Sequence, residues 1–375
     1  MSENRKNIWI SLGASVTGAS HTRKEPPIPN QDAYKEQRGE LHQIEEKVND
    51  KTEIKIKITP TVVAVSDGHG SEKYIRSDCG SLFAVDTICL LATSMFRDLP
   101  NPEIRIRVSE IDTVAEQIKV QFVNMWKNGV DNHSKSHQLN EVELLFLEKK
   151  FAEGKLSEEV CTTIKKDFEI VSNIEDVKNN PPSRVAYGCT FLAAIAYEDV
   201  VLILQHGDGD IIGLYPNGEI KELIAPNPKN FANETSSLCR VKNPAEIQHA
   251  VLVGTEIPIL ITLSTDGVKN SFNDLNSDIE KFYNIPVVLK NSLFKNSCDT
   301  KIVATELSSL LTKMATHGSG DDVTLGVLFD ESKIQAEVEQ SAQTASVQES
   351  EPIVVESDVK DNSNNIDAKI GEDEM

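Results

Sequence analysis

Two hydrophobic rhythms alternate along the chain, and their order predicts its elements. Residues 8–16, from Ile8 to Val16, are dense in apolar side chains and read as a first strand. Pro26, Pro27 and Pro29 then impose an extended loop just before Asp32. Residues 36–52 are charged and predict an exposed connection, whereas Ile54 to Ile58 alternates isoleucine with lysine, as a strand with one wet face would. The run from Thr61 to Ser66 lacks that alternation and predicts a strand buried on both faces. The period then changes. Ser81 to Phe96 carries a broad apolar face of helical spacing, and residues 109–128 and 140–173 read as further helices separated by the polar segment Asn128 to Asn140. Val114, Ile118, Phe122 and Trp126 recur every four residues on one face.

Strands return after Tyr187. Phe191 to Tyr197 and Val200 to Gln205 flank Glu198-Asp199, and Ile211 to Tyr215 and Glu219 to Ile224 flank Pro216-Asn217-Gly218, both hairpin signals. A longer loop from Pro226 to Glu246 contains Thr235-Ser236-Ser237-Leu238, which fits either a loop shaping access to a site or a plain surface turn. A helix over Lys301 to Thr316 and a strand ending at Phe329 complete the pattern. Strands, helices, strands, helix, strand is an α+β order, which predicts two packed sheets with helices outside. From Glu331 onward there is no aromatic residue, and twelve acidic residues meet three lysines. Such a segment buries too little apolar surface to offset its ordering entropy, so residues 331–375 are expected to be a disordered acidic tail behind a domain spanning 1–330.

Composition narrows the partners. The formal net charge of −21 over 375 residues opposes a nucleic acid or an anionic membrane surface, each of which calls for a basic face. Cys79, Cys89, Cys161, Cys189, Cys239 and Cys298 lack metal-type spacing and sit in apolar or helical stretches, which predicts free thiols in a reducing compartment. The N-terminal segment lacks a signal-peptide core and no uninterrupted apolar stretch would span a bilayer. A cytoplasmic monomer is the expectation.

The candidate chemistry lies at the ends of the apolar runs. Val65-Ser66-Asp67-Gly68-His69-Gly70, Ser264-Thr265-Asp266-Gly267, Gly320-Asp321-Asp322-Val323 and Asn30-Gln31-Asp32 each set aspartate at a strand boundary. A carboxylate there is half-desolvated and faces a cleft, and several together repel unless protons or cations intervene. Oxygen ligands without a Cys/His set favour a hard divalent cation, Mg²⁺ or Mn²⁺.

Taken in order with Tyr187-Gly188-Cys189-Thr190 and His206-Gly207-Asp208-Gly209-Asp210, these motifs resemble the metal-dependent protein phosphatases of the 2C type, closest to bacterial members with Gln-Asp in the first motif. The resemblance implies a four-layer α-β-β-α sandwich with two central antiparallel sheets and a binuclear Mg²⁺ or Mn²⁺ site, the binding of a third ion being left open. It implies that Asp67 bridges both metals, that the Gly68 carbonyl serves the second, that Asp266 and Asp321 complete the first, and that Asp32 serves the second directly or through water. His69 then resembles the general acid, and Asp208 a supporting acid. The arginine that often holds the phosphate has no counterpart at Pro26, Pro27, Ile28 or Pro29, leaving Arg23, Lys24 or His21 as candidates. Asp322 replaces the usual asparagine, and Cys189 a frequent serine or threonine. The implied reaction is hydrolysis of phosphoserine or phosphothreonine in a protein substrate by a metal-activated water. No Cys-x5-Arg nucleophile exists for a covalent route. A catalytically silent phosphoprotein-binding module and a phosphomonoesterase for small esters are the alternatives.

Overall fold

The computed structural model describes residues 9–48, 51–97, 108–225, 236–272 and 278–336. The chain opens with β1 (Trp9–Val16), a single helical turn α1 (Ala19–Thr22) and β2 (Ala33–Gln37), followed by β3 (Leu41–Val48), β4 (Lys51–Ile58) and β5 (Thr61–Ser66). Helices α2 (Ser77–Arg97), α3 (Val108–Ser136), α4 (Glu141–Ala152), α5 (Glu158–Ile170) and α6 (Ile174–Asn179) come next. Then follow β6 (Phe191–Tyr197), β7 (Val200–His206), β8 (Asp210–Leu214), β9 (Ile220–Glu222), β10 (Gln248–Val253) and β11 (Leu260–Ser264). Helices α7 (Asp266–Lys269), α8 (Ile279–Tyr283), α9 (Ile285–Lys295) and α10 (Thr300–His317) precede β12 (Val323–Asp330).

Two five-stranded antiparallel sheets result, ordered β1-β12-β11-β8-β9 and β10-β7-β6-β5-β2. Period-two alternation explains how they stack. In β5, Val62 and Ala64 pack with Ile88, Ile118 and Trp126 of α2 and α3, while Val63 and Val65 face Ile261, Leu263 and Leu328 of the other sheet. Both faces of β5 are thus buried, each large apolar side chain contributing about 1.5–3 kcal/mol. On the far side, Val323, Leu325, Val327 and Phe329 of β12 pack with Leu289, Leu293, Val303, Leu307 and Leu311 of α9 and α10. The layers therefore run helix, sheet, sheet, helix, and the expected sandwich is what the chain adopts. Helix α2 is long and apolar enough to cross a membrane by length and composition, yet Ala84, Val85, Ile88, Cys89, Leu91 and Ala92 belong to the core.

Several boundaries differ from the sequence expectation. The exposed connection over 36–52 is instead the end of β2 and a two-stranded hairpin of β3 and β4 outside the main sheets. Helix α3 runs through the polar segment to Ser136, and the stretch 140–173 breaks at Gly154, where φ is +72°. The chain also continues as helix beyond Asp330, with Ile334 buried against the β12 side, so packed structure passes the expected domain end at 330. Residues 337–375, most of the expected tail, lie outside the described residues.

A polar knot secures the helices to the second sheet. Arg76 is buried and donates to Glu143 through Nε (2.7 Å) and Nη2 (2.9 Å), to the carbonyls of His137 and Gln138, and to the Tyr187 hydroxyl (3.0 Å). Its guanidinium lies 4.6 Å from the Phe168 ring centre. Glu143 is itself held by a capping box, exchanging bonds with Asn140 at the start of α4. His133 Nδ1 lies 2.8 Å from the Tyr187 hydroxyl and Ser134 Oγ 3.1 Å from it, so α3 joins the same knot.

Candidate functional site

Antiparallel register gathers the aspartates. Ala33 pairs with Ser66 at the end of β5, which sets Asp32 beside Asp67. Ser264 pairs with both Asp210 and Leu325, so Asp266 just past β11 falls at the same end as Asp208 just before β8 and as Asp321 and Asp322 just before β12. The outcome is one cavity of about 180 Å³ lined by Gln31, Asp32, Asp67, Gly68, His69, Gly70, Asp208, Asp266, Asp321 and Asp322. Seven positions singled out in the sequence (Asp32, Asp67, Gly68, His69, Asp208, Asp266 and Asp321) therefore meet at one place.

Local structure holds each of them. Thr190 N donates to the Asp67 carbonyl (2.8 Å) and Thr190 Oγ1 accepts from Asp67 N (3.0 Å), while Ser66 Oγ donates to the Thr190 carbonyl (2.6 Å). Gly68 forms a bridge with Cys189, and its Cα faces the carbonyls of Gln31 and Ser77 so closely that no Cβ fits. Gly267 is equally constrained by the Asp322 carbonyl, which explains the second Asp-Gly pair. Asp32 accepts from Thr265 Oγ1 at 2.8 Å, and Asp266 accepts from Asn270 Nδ2 at 3.0 Å.

The electrostatics call for positive charge. Burial holds the Asp67 carboxyl well above the usual carboxylate range, reinforced by the charges of Asp32, Asp266 and Asp208. Burial and the Asp322 charge do the same to Asp32. Burial, with Asp208 beside it, pushes Asp266 up to about 6. No lysine or arginine is among the residues lining the cavity. A pocket of repelling, partly desolvated oxygens fits hard divalent cations by charge and donor type. Among the described residues, no three His, Cys, Asp or Glu side chains stand ready as the shell of a single ion. The fit therefore rests on the donor chemistry of the lining oxygens.

Asp322 is not a stray charge. It is buried, and its Oδ1 accepts from Gly18 N (2.7 Å) and its Oδ2 from Gln31 N (2.6 Å), with His21 Nδ1 3.0 Å from Oδ1. His21 Nε2 also lies 3.7 Å from Asp321, and the adjacent Asp322 carboxylate raises the His21 pKa. His21 is thus buried against the acid pair rather than free to receive a phosphate, and Arg23 and Lys24 are exposed. None of these three lines the cavity. Because both Asp322 oxygens accept from backbone N–H groups, Asp322→Asn would set an amide NH₂ against one donor. The expected cost is about 1–3 kcal/mol of stability, read by urea unfolding, although asparagine is the usual residue here in the resembling family.

His69 sits at the rim. Its backbone N–H donates to the Gly188 carbonyl (3.2 Å), its ring lies 4.7 Å from that of Tyr74, and its buried Nε2 has no hydrogen-bond partner among the described residues. Burial, then the charges of Arg240 and Lys73, lower its pKa to about 4. Sequence reasoning missed Gln31 as a lining residue, although it lies inside the Asn-Gln-Asp motif. It also missed Lys73 and Arg240, which no motif marked.

Residues 17–311 match the protein phosphatase 2C family, and the chain belongs to it. Similar solved structures include PppA, described as a key regulatory component of T6SS in Pseudomonas aeruginosa (15% identity, 86% of this chain and 98% of that one, TM-score 0.42). Another is the catalytic domain of the serine/threonine protein phosphatase PstP in complex with two manganese ions (13% identity, 86% and 98%, TM-score 0.39). A third is the serine/threonine phosphatase Stp1 from Staphylococcus aureus (12% identity, 86% and 96%, TM-score 0.40). No curated protein matches.

Proposed function

We propose that this chain is a protein serine/threonine phosphatase that requires Mg²⁺ or Mn²⁺, acting on phosphoproteins in the cytoplasm. The observation that carries the reading is the convergence of Asp32, Asp67, Gly68, Asp208, Asp266 and Asp321 on one cavity with His69 at its rim. Asp67, the Gly68 carbonyl, Asp32, Asp266 and Asp321 would together hold two cations, with Asp208 in support. Bound there, such a pair lowers the pKa of a water and screens phosphoryl oxygens.

The chain's own residues supply the rest. Thr190 fixes the backbone of Asp67, and Thr265 fixes the Asp32 carboxylate. The leaving serine or threonine oxygen needs a proton, a role assigned here to His69, whose buried Nε2 has no hydrogen-bond partner among the described residues. Free imidazole at this site is neutral at pH 7, its pKa being about 4. A phosphate dianion arriving beside it would raise that pKa, towards the protonated form that proton donation needs.

The test is phosphate release from a phosphothreonine peptide with and without Mn²⁺. Release that depends on the metal, stops with EDTA and exceeds that from p-nitrophenyl phosphate supports the reading. Saturable peptide binding without release would identify a silent module, and preference for the small ester would identify a general phosphomonoesterase.

A further inference from the structure

Next to His69 the backbone draws together two segments that supply cations. Gly188 and Cys189 lie between them. The Gly188 carbonyl accepts from His69 N, and the Cys189 carbonyl accepts from Leu238 N at 2.9 Å. The Gly188 Cα is pressed against the Tyr74 ring and approaches Ser237 Oγ, a Cβ there falling 3.0 Å from that oxygen. The Lys73 ammonium lies 4.9 Å from the centre of the Tyr74 ring, which in turn faces His69. Arg240 stands two residues past Leu238, in a turn closed by its own N–H to the Ser237 carbonyl (2.9 Å). Arg240 is exposed and Lys73 half-buried, and neither lines the carboxylate cavity. His69 and Leu238 bond to the consecutive carbonyls of Gly188 and Cys189, which places the segments bearing Lys73 and Arg240 on one side of the site. Of the Thr235-Ser236-Ser237-Leu238 loop, whose role the sequence left open, Thr235 lies outside the described residues and Ser237 and Leu238 belong to this arrangement.

We propose that Lys73 and Arg240 form a cationic rim that selects phosphoserine or phosphothreonine peptides carrying an acidic residue next to the phosphorylated one. The direction of the substrate chain follows from the phosphatase reading, on which this inference rests. The phosphoryl group seats among the carboxylates, and the alcohol leaves past the proton donor. Cations flanking His69 outside the cavity therefore meet the peptide rather than the transferred phosphoryl group. A protein of net charge −21 repels acidic peptides at long range, so a local pair of cations is what would make them acceptable.

The experiment compares two phosphothreonine peptides, one flanked by aspartates and one by lysines, in Mn²⁺ at low and moderate salt. For the wild-type chain the kcat/KM ratio of acidic to basic peptide is expected to be about ten, shrinking as salt rises. Arg240→Glu should bring the ratio to about one or below, mainly through KM, and Arg240→Lys should keep most of it. Lys73→Ala should give an intermediate ratio. Binding of phosphonate analogues of both peptides, read by fluorescence anisotropy, is measured in parallel. A binding ratio that follows the charge at position 240 without any turnover would sustain the rim and defeat the phosphatase reading. Turnover with a wild-type ratio near one, or a ratio that Arg240→Glu leaves unmoved, would overturn the rim and leave the phosphatase reading standing.

Discussion

Asp67→Asn should abolish metal-dependent phosphate release, by roughly a thousand-fold or more, while making the metal-free protein more stable. The two halves have one cause. Burial and three neighbouring acids hold the Asp67 carboxyl far above its unfolded value. For a carboxyl raised in this way, the stability its proton supplies is lost as pH climbs from the unfolded pKa toward the folded one, so near neutrality the charge is a burden on the fold. Asparagine removes that burden and keeps the shape. The metal-free melting temperature is then expected to rise, at about 2–4 °C per kcal/mol relieved. Wild-type protein should gain about 2.7 kcal/mol from a cation at a hundred times its dissociation constant, and the variant should lose most of that gain. Thermal melts in EDTA and in Mn²⁺, beside the phosphate assay, check the prediction. A variant that melts lower without metal and gains normally with it would contradict the assignment of Asp67.

Arg76→Met should destabilise the protein by about 3–5 kcal/mol, the range for stripping one partner from a buried ion pair. Glu143 would keep its charge with only its cap bond, and the carbonyls of His137 and Gln138 would lose their donor. Changing Arg76 to Met together with Glu143 to Gln should recover part of the loss, since no lone carboxylate remains. Urea unfolding of the single and double variants measures the coupling. An Arg76→Met loss below about 1 kcal/mol would show that the knot contributes little.

How far the sequence disclosed this molecule depended on how strictly each segment is patterned by burial. β5 was legible because both its faces are enclosed, so its apolar run has no gaps. Of the β3–β4 hairpin, Ile54 to Ile58 was legible from its alternation, whereas β3 and the start of β4 were hidden in the charged run over 36–52. Helix α3 looked shorter than it is because its buried stripe passes from Trp126 and Val130 to Ser134, a polar residue that serves the Tyr187 hydroxyl. The end of the packed fold was set too early because one buried side chain, Ile334, carries the extension.

The carboxylates of the site were legible because Asp-Gly pairs follow buried strands, and the glycines prove to be places where another carbonyl crowds the backbone. Asp322 read as excess charge since two backbone donors and a histidine from distant segments cannot be inferred from its neighbours in the chain. Lys73 and Arg240 were missed for a related reason. Arg240 comes near His69 through the main-chain bond of Leu238 to Cys189, which leaves no trace in side-chain spelling, and Lys73 through the intervening Tyr74 ring.

Asp67 follows a strand of one sheet, and Asp266 follows a strand of the other. Anything gripping both carboxylates acts as a rivet through the two plates of the sandwich. Shear between the plates and release of the grip would then be a single event, so the tightness of the reaction centre and the rigidity of the whole body rise and fall together.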